Sequence, residues 1–137
     1  MIRAVKVIMA IFGSVLILEG LLDVVMPAQR ASMFEPGGSS ASVLFYMTIL
    51  GATWVAAGIW VVAASRDPAR HVSAVKFVIT LPTLLSMALI FSILRGYVGL
   101  GQVIIELALD AFFALSLLAL YPWRRRSGAG LAGAGRQ

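Results

Sequence analysis

Four apolar segments of roughly 20 residues each dominate this sequence and limit what the chain can fold into. They run from about residue 4 to 26, 42 to 64, 72 to 94 and 100 to 121. Each is long enough to cross a hydrocarbon layer about 30 Å thick. Because backbone N–H and C=O groups in lipid must be paired within their own segment, such segments fold as helices. The sequence therefore predicts an all-α, integral membrane four-helix bundle, with residues 1–123 forming a single four-span domain.

The composition is typical of a chain whose solvent is lipid. Hydrophobic residues make up 61% and charged residues 12% of the 137 positions, against about 45–50% and about 25% in an ordinary soluble domain. A soluble domain of this size has too little interior for so many apolar side chains. The chain also lacks cysteine, which excludes disulfides, thiolate metal sites and cysteine nucleophiles.

The basic residues predict the orientation of the bundle. Nine of the 11 lysines and arginines lie at the start of the first span, around the loop 65–71, or after the fourth span, whereas only Arg30 and Arg95 lie on the other side. The positive-inside rule then places both termini in the cytoplasm, an N-in/C-in topology. Residues 124–137, first basic and then rich in Gly and Ala, are expected to form a disordered tail. We expect these cations to face the lipid bilayer and not to bind nucleic acid.

Four carboxylates interrupt the first and last spans at matching intervals. The stretch "ILEGLLDVV" carries Glu19 and Asp23, and "IIELALDAF" carries Glu106 and Asp110. A spacing of four residues puts each pair on one helical face. A rise of ~1.5 Å per residue places all four in the outer half of the bilayer or near its midplane. Because an aspartate at a helix centre costs about 2.5–3.5 kcal/mol on insertion scales, we expect these acids to face the bundle interior and to have partners.

Few groups are available as partners for these acids. Arg95, at the outer end of the third span, is expected to reach Glu106 or Asp23. Arg30 is expected to reach only the shallowest acid. The indole N–H of Trp54, in the second span, is a candidate hydrogen-bond donor to the deeper acids.

Small residues recur at helix-packing intervals in the first two spans. Gly13 and Gly20 are seven residues apart, as are Gly51 and Gly58. Such spacing lets helix backbones approach closely in a membrane, where lipid supplies no hydrophobic drive for association. We expect mainly packing within the chain, with a homo-oligomer or a partner subunit in the membrane as the alternative. Pro82, within the third span, predicts a kink or a packing bend there.

No motif in the sequence identifies a reaction. A nucleotide-binding loop, a catalytic triad spacing and a metal-ligand cluster are all missing, and the single histidine, His71, lies near the inner interface. That position argues against a bis-histidine haem or a di-iron bundle. The sequence therefore predicts no metal, no cofactor and no particular catalytic residue.

The four acids permit three uses. They fit interhelical hydrogen bonds in a non-enzymatic accessory or interaction protein, which is the use we favour. They also fit a proton- or cation-coupled transporter or binding protein for a small solute. The third use is acid–base chemistry in a membrane isomerase or cyclase acting on a lipophilic substrate.

The layout resembles a group of small bacterial four-helix membrane proteins of unknown function, related loosely to the DoxX-like and BphX-like proteins. The resemblance covers about residues 12 to 122 and rests on "GLLDVVMPA", "LGATWVAAGIWVVAASRDPAR" and "IELALDAFFALSLLAL". It implies a four-helix fold, a location in the bacterial inner membrane and an accessory role. An acidic residue in the last span of such proteins would match Glu106. The group has no agreed activity, so the resemblance implies no chemistry.

Overall fold

Helices account for nearly all of the described chain, which comprises residues 2–33 and 40–121 of a computed structural model. The helices are α1 (Ile2–Val25), α2 (Pro27–Ser32), α3 (Ala41–Ala64), α4 (Val72–Leu94) and α5 (Leu100–Leu120). The four long ones are each long and apolar enough to cross a membrane, which confirms the prediction of an all-α chain with four candidate spans. The predicted tail, residues 124–137, lies outside the described residues.

Local chemistry explains several of the helix ends. Pro27 cannot donate a backbone hydrogen bond, and it opens α2 at a position where that donor is not needed. The Ser40 hydroxyl accepts a hydrogen bond from the backbone N–H of Val43 and caps α3. At the start of α5 the side-chain carbonyl of Gln102 accepts a 2.7 Å hydrogen bond from the backbone N–H of Gly99. Because of Pro27, α2 is a separate short helix directly after α1.

The closest packing in the bundle is between α1 and α3, which run antiparallel. Gly13 lies against Gly58, and Gly20 lies against Gly51. A Cβ on Gly51 would lie 2.6 Å from the carbonyl oxygen of Gly20, and one on Gly58 would lie 2.5 Å from that of Gly13. The glycines predicted to promote helix contact therefore do so within the chain, where they set the distance between α1 and α3.

An apolar core fills one end of the bundle, which we call the inner end: the N-terminal halves of α1 and α4 and the C-terminal halves of α3 and α5. The rings of Phe12 and Phe113 pack edge to face in this core, with centroids 5.0 Å apart. α1 and α3 form one close pair and α4 and α5 the other, and α1 also contacts α4 and α5. The buried core residues are Val5, Met9, Phe12, Leu16, Val61, Ala64, Ala74, Val75, Val78, Phe113 and Leu117.

The opposite end, which we call the outer end, is less tightly packed because α4 leaves the core at Pro82. Ala74, Val75, Val78 and Pro82 are buried, whereas no residue from 83 to 94 is. The helix itself continues through Pro82. The outer half of α4 is therefore separated from α1 by space that side chains do not fill completely, whereas α1 and α3 stay in contact at Gly20 and Gly51.

The contact between the glycines gives a direct test of the fold. We expect Gly20→Ala and Gly58→Ala each to lower the free energy of unfolding by about 1–3 kcal/mol, because the added methyl group has to push α1 and α3 apart. Gly101→Ala is the matched control, because a Cβ there meets nothing within 4 Å. Equilibrium unfolding in mixed micelles, followed by helical circular dichroism, measures all three. Equal stability of the Gly20 and Gly101 variants would contradict the α1–α3 packing.

Candidate functional site

A cavity of about 220 Å³ lies at the outer end of the bundle, directly above the apolar core. Its floor is formed by core residues, Phe12, Leu16 and Phe113. Leucines of α4 and α5 form much of its apolar wall, together with the indole of Trp54 from α3. Among the residues that the structure describes, the lining comprises Phe12, Val15, Leu16, Glu19, Asp23, Arg30, Trp54, Leu85, Leu89, Glu106, Leu109, Asp110 and Phe113.

All four acids singled out in the sequence line this one cavity. Glu19 and Asp23 reach it from α1, and Glu106 and Asp110 reach it from α5. Asp23 is buried, Asp110 is half-buried and Glu106 is exposed. The spacing of four residues thus places two carboxyl groups on one face of each helix. Because α1 and α5 run antiparallel, the two pairs lie at the same end of the bundle.

Arg30 of α2 is the cation that pairs with the acids of α1. Its Nε donates a 3.0 Å hydrogen bond to Asp23 Oδ1, and its Nη2 donates another to Glu19 Oε2. Asp23 is only 6% exposed, and the Arg30 side chain is 22% exposed. Charge-assisted bonds in such a partly dry setting are stronger than neutral ones. The guanidinium therefore compensates the most deeply buried carboxylate of the described chain.

This pairing differs from the sequence-based expectation for both arginines. Arg30 reaches two acids rather than only the shallowest one, because α2 turns back at Pro27 and brings the side chain to a glutamate eleven residues earlier. Arg95 instead lies over the ring of Phe91, with 5.2 Å from its Cζ to the ring centroid. Among the described acids, none lies within 4 Å of the Arg95 nitrogen atoms. Trp54 lines the cavity, but none of the hydrogen bonds among the described side chains joins its indole N–H to one of the acids.

The cavity has more carboxyl groups than cationic groups. Burial favours the neutral form of Arg30, but the hydrogen bond to Asp23 and the charges of Glu19, Asp23 and Glu106 outweigh it and raise the pKa of this guanidinium. Arg30 is therefore a permanent cation. In the described segments, no lysine or arginine nitrogen lies within 4 Å of the α5 acids, and neither acid hydrogen-bonds to another described side chain.

The arrangement suits an organic cation better than a metal ion or an anion. Within the ranges 2–33 and 40–121, no group of three His, Cys, Asp or Glu side chains is close enough to hold a metal ion. The acids of α5 make the cavity electronegative, and the lining includes Trp54, an aromatic residue of the kind that attracts organic cations. The apolar floor and walls suit a solute with a hydrocarbon part.

Comparisons with protein-family models, with curated proteins and with solved structures found no match for this chain. The resemblance to the DoxX-like and BphX-like proteins therefore stays a prediction, and the cavity itself has to carry the argument about function.

Sequence reasoning missed Arg30 as the main partner and missed the leucines of α4. A signal for Arg30 was present, since it lies seven residues after Asp23 and eleven after Glu19, intervals that keep residues on one helical face. Pro27 hid this signal, because it ends α1 and the helical spacing could not be carried past it.

Proposed function

We propose that this chain is a multi-pass protein of the bacterial inner membrane that binds a small cationic solute in the cavity at its outer end. The observation that carries the proposal is the convergence of four carboxyl groups on one apolar-walled cavity, with a single guanidinium among the lining residues that the structure describes. The proposal takes the binding protein or transporter in preference to the accessory role favoured from sequence alone.

The unpaired acids of α5 support a binding role over a purely structural one. If the acids served only as interhelical hydrogen bonds, Glu106 and Asp110 would each have a side-chain partner on another helix. Instead both line the cavity without such a partner among the described side chains. Acids inside membrane-spanning segments are costly and usually mark a solute or ion pathway when they face a cavity.

The outward surface of the helices supports membrane insertion. Large apolar side chains are exposed on all four long helices, among them Leu18, Ile49, Met87 and Ile105. A soluble protein rarely exposes apolar surface over its whole perimeter, whereas lipid covers it without cost. With the basic residues cytoplasmic, both termini and the loop 65–71 are inside, and the cavity is in the outer half of the membrane.

Binding of organic cations to the purified protein tests the proposed function. We expect saturable binding of methylguanidinium or tetraethylammonium by titration calorimetry in detergent. The double variant E106Q/D110N is expected to bind about tenfold more weakly or worse, because loss of a charged partner costs about 1.5–3 kcal/mol. D67N is the control, because Asp67 pairs with Arg70 in the inner loop and does not line the cavity. No saturable binding, or equal binding by both variants, would reject the proposal.

Labelling of single cysteines tests the proposed orientation. The chain has no native cysteine, and Ser32 and Ser73 are exposed at opposite ends of the bundle. In intact cells, a membrane-impermeant maleimide is expected to label S32C and not S73C, and to label both after the cells are lysed. Labelling of S73C alone in intact cells would mean that the bundle has the reverse orientation.

A further inference from the structure

Arg30 lies where a bound cation is expected to lie. Its side chain lines the cavity, and two of its nitrogen atoms donate hydrogen bonds to two carboxylates of α1. The acids of the cavity therefore already hold one planar cation, and the chain itself supplies it. Glu19 and Asp23 lie one helical turn apart, so their oxygens match a flat group with several N–H donors better than a single ammonium point charge.

The helix that carries Arg30 contacts α1 and α3 but buries few of its own side chains. α2 has six residues, only Ala31 of these is buried, and its N-terminal flanking residue Met26 provides no side-chain cap. Helices this short are marginal without tertiary support. Elements with few buried apolar contacts are also the ones that open at low cost. The ion pairs of Arg30 are thus the main polar tie between α2 and α1.

We propose that Arg30 is a tethered occupant of the cavity, and that the solute carries a guanidinium- or amidinium-type group that displaces it from Glu19 and Asp23 and releases α2 from α1. This inference rests on the proposed function. It specifies the chemical class of the solute and says that Arg30 controls access to the site. Displacement is required because two cations in one small cavity repel each other. A free guanidinium has further N–H donors, and Glu106 and Asp110 offer acceptors that the tethered group leaves unfilled.

Removal of the arginine side chain is expected to open the site to a free ion of the same shape. We expect R30A to melt at a lower temperature than wild type, because the buried Asp23 loses its partner. Added methylguanidinium is expected to restore the melting temperature in a saturable way. It is expected to bind R30A about tenfold or more tightly than wild type, because a tethered competitor lowers apparent affinity by the fraction of time that the site is closed.

Matched controls separate this role from general stabilisation. R70A removes an arginine from the inner loop, where its side chain is 86% exposed, and is expected to show neither the loss nor the rescue. Methylurea has a similar planar shape without the charge and is expected to give no rescue of R30A. Tetramethylammonium has the charge without N–H donors, and equal rescue by this ion would overturn the assignment of the guanidinium class.

Hydrogen exchange of wild-type protein provides a readout that does not depend on any variant. Saturating methylguanidinium is expected to speed exchange of the backbone amides of residues 28–32, because α2 is released. Slower or unchanged exchange with methylguanidinium bound would overturn the displacement.

Should R30A not fold, R30Q takes its place in the titration. Equal affinity of wild type and the variant rejects the tethered occupant alone, whereas no cation binding by either rejects the proposed function as well.

Discussion

The ion pairs between Arg30 and the two acids of α1 are the interaction on which the outer end of this protein depends. A carboxylate as buried as Asp23, at 6% exposure, is costly in an apolar surrounding unless a cation compensates it. The guanidinium does so from α2, and its hydrogen bonds to Asp23 and Glu19 join that short helix to α1. Because Arg30 pairs with α1, the acids of α5 are left facing the same cavity without a cationic partner among the described residues.

The two ends of the bundle are packed by different means, and this difference creates the cavity. Glycines bring the backbones of α1 and α3 into contact at Gly13–Gly58 and at Gly20–Gly51, so that this pair is closely packed. At the inner end, α4 and α5 complete an apolar core around Phe12 and Phe113. Beyond Pro82, α4 buries no residue, and the space that it leaves is lined by the acids, Arg30 and Trp54. The proposed binding of an amphipathic cation rests on this apolar floor beneath a charged wall.

Much of this architecture could be predicted from the sequence, because lipid imposes simple rules on chain length and polarity. Apolar run lengths predicted the bounds of the four long helices to within two residues, and the spacing of the glycines indicated close packing within the chain but not which helices adjoin. The spacing of the acids placed each pair on one helical face in the outer half of the bilayer or near its midplane, but it did not show that the two pairs meet. The partner of those acids could not be predicted, because it depends on how the chain turns at Pro27. The intervals from Glu19 and Asp23 to Arg30 fit one helical face, but they do not show that α2 keeps that face after such a turn.

The most direct test of this account is the distance between the Arg30 guanidinium and the Asp23 carboxyl in a lipid bilayer. Solid-state NMR on protein labelled with ¹⁵N in arginine and ¹³C in aspartate measures the dipolar coupling between Arg30 Nε and the Asp23 carboxyl carbon. The account predicts strong coupling, as expected for an Nε–Oδ1 hydrogen bond of 3.0 Å, and its loss when methylguanidinium saturates the protein. Folded protein in bilayers that shows no such coupling in the absence of added cation would contradict the account.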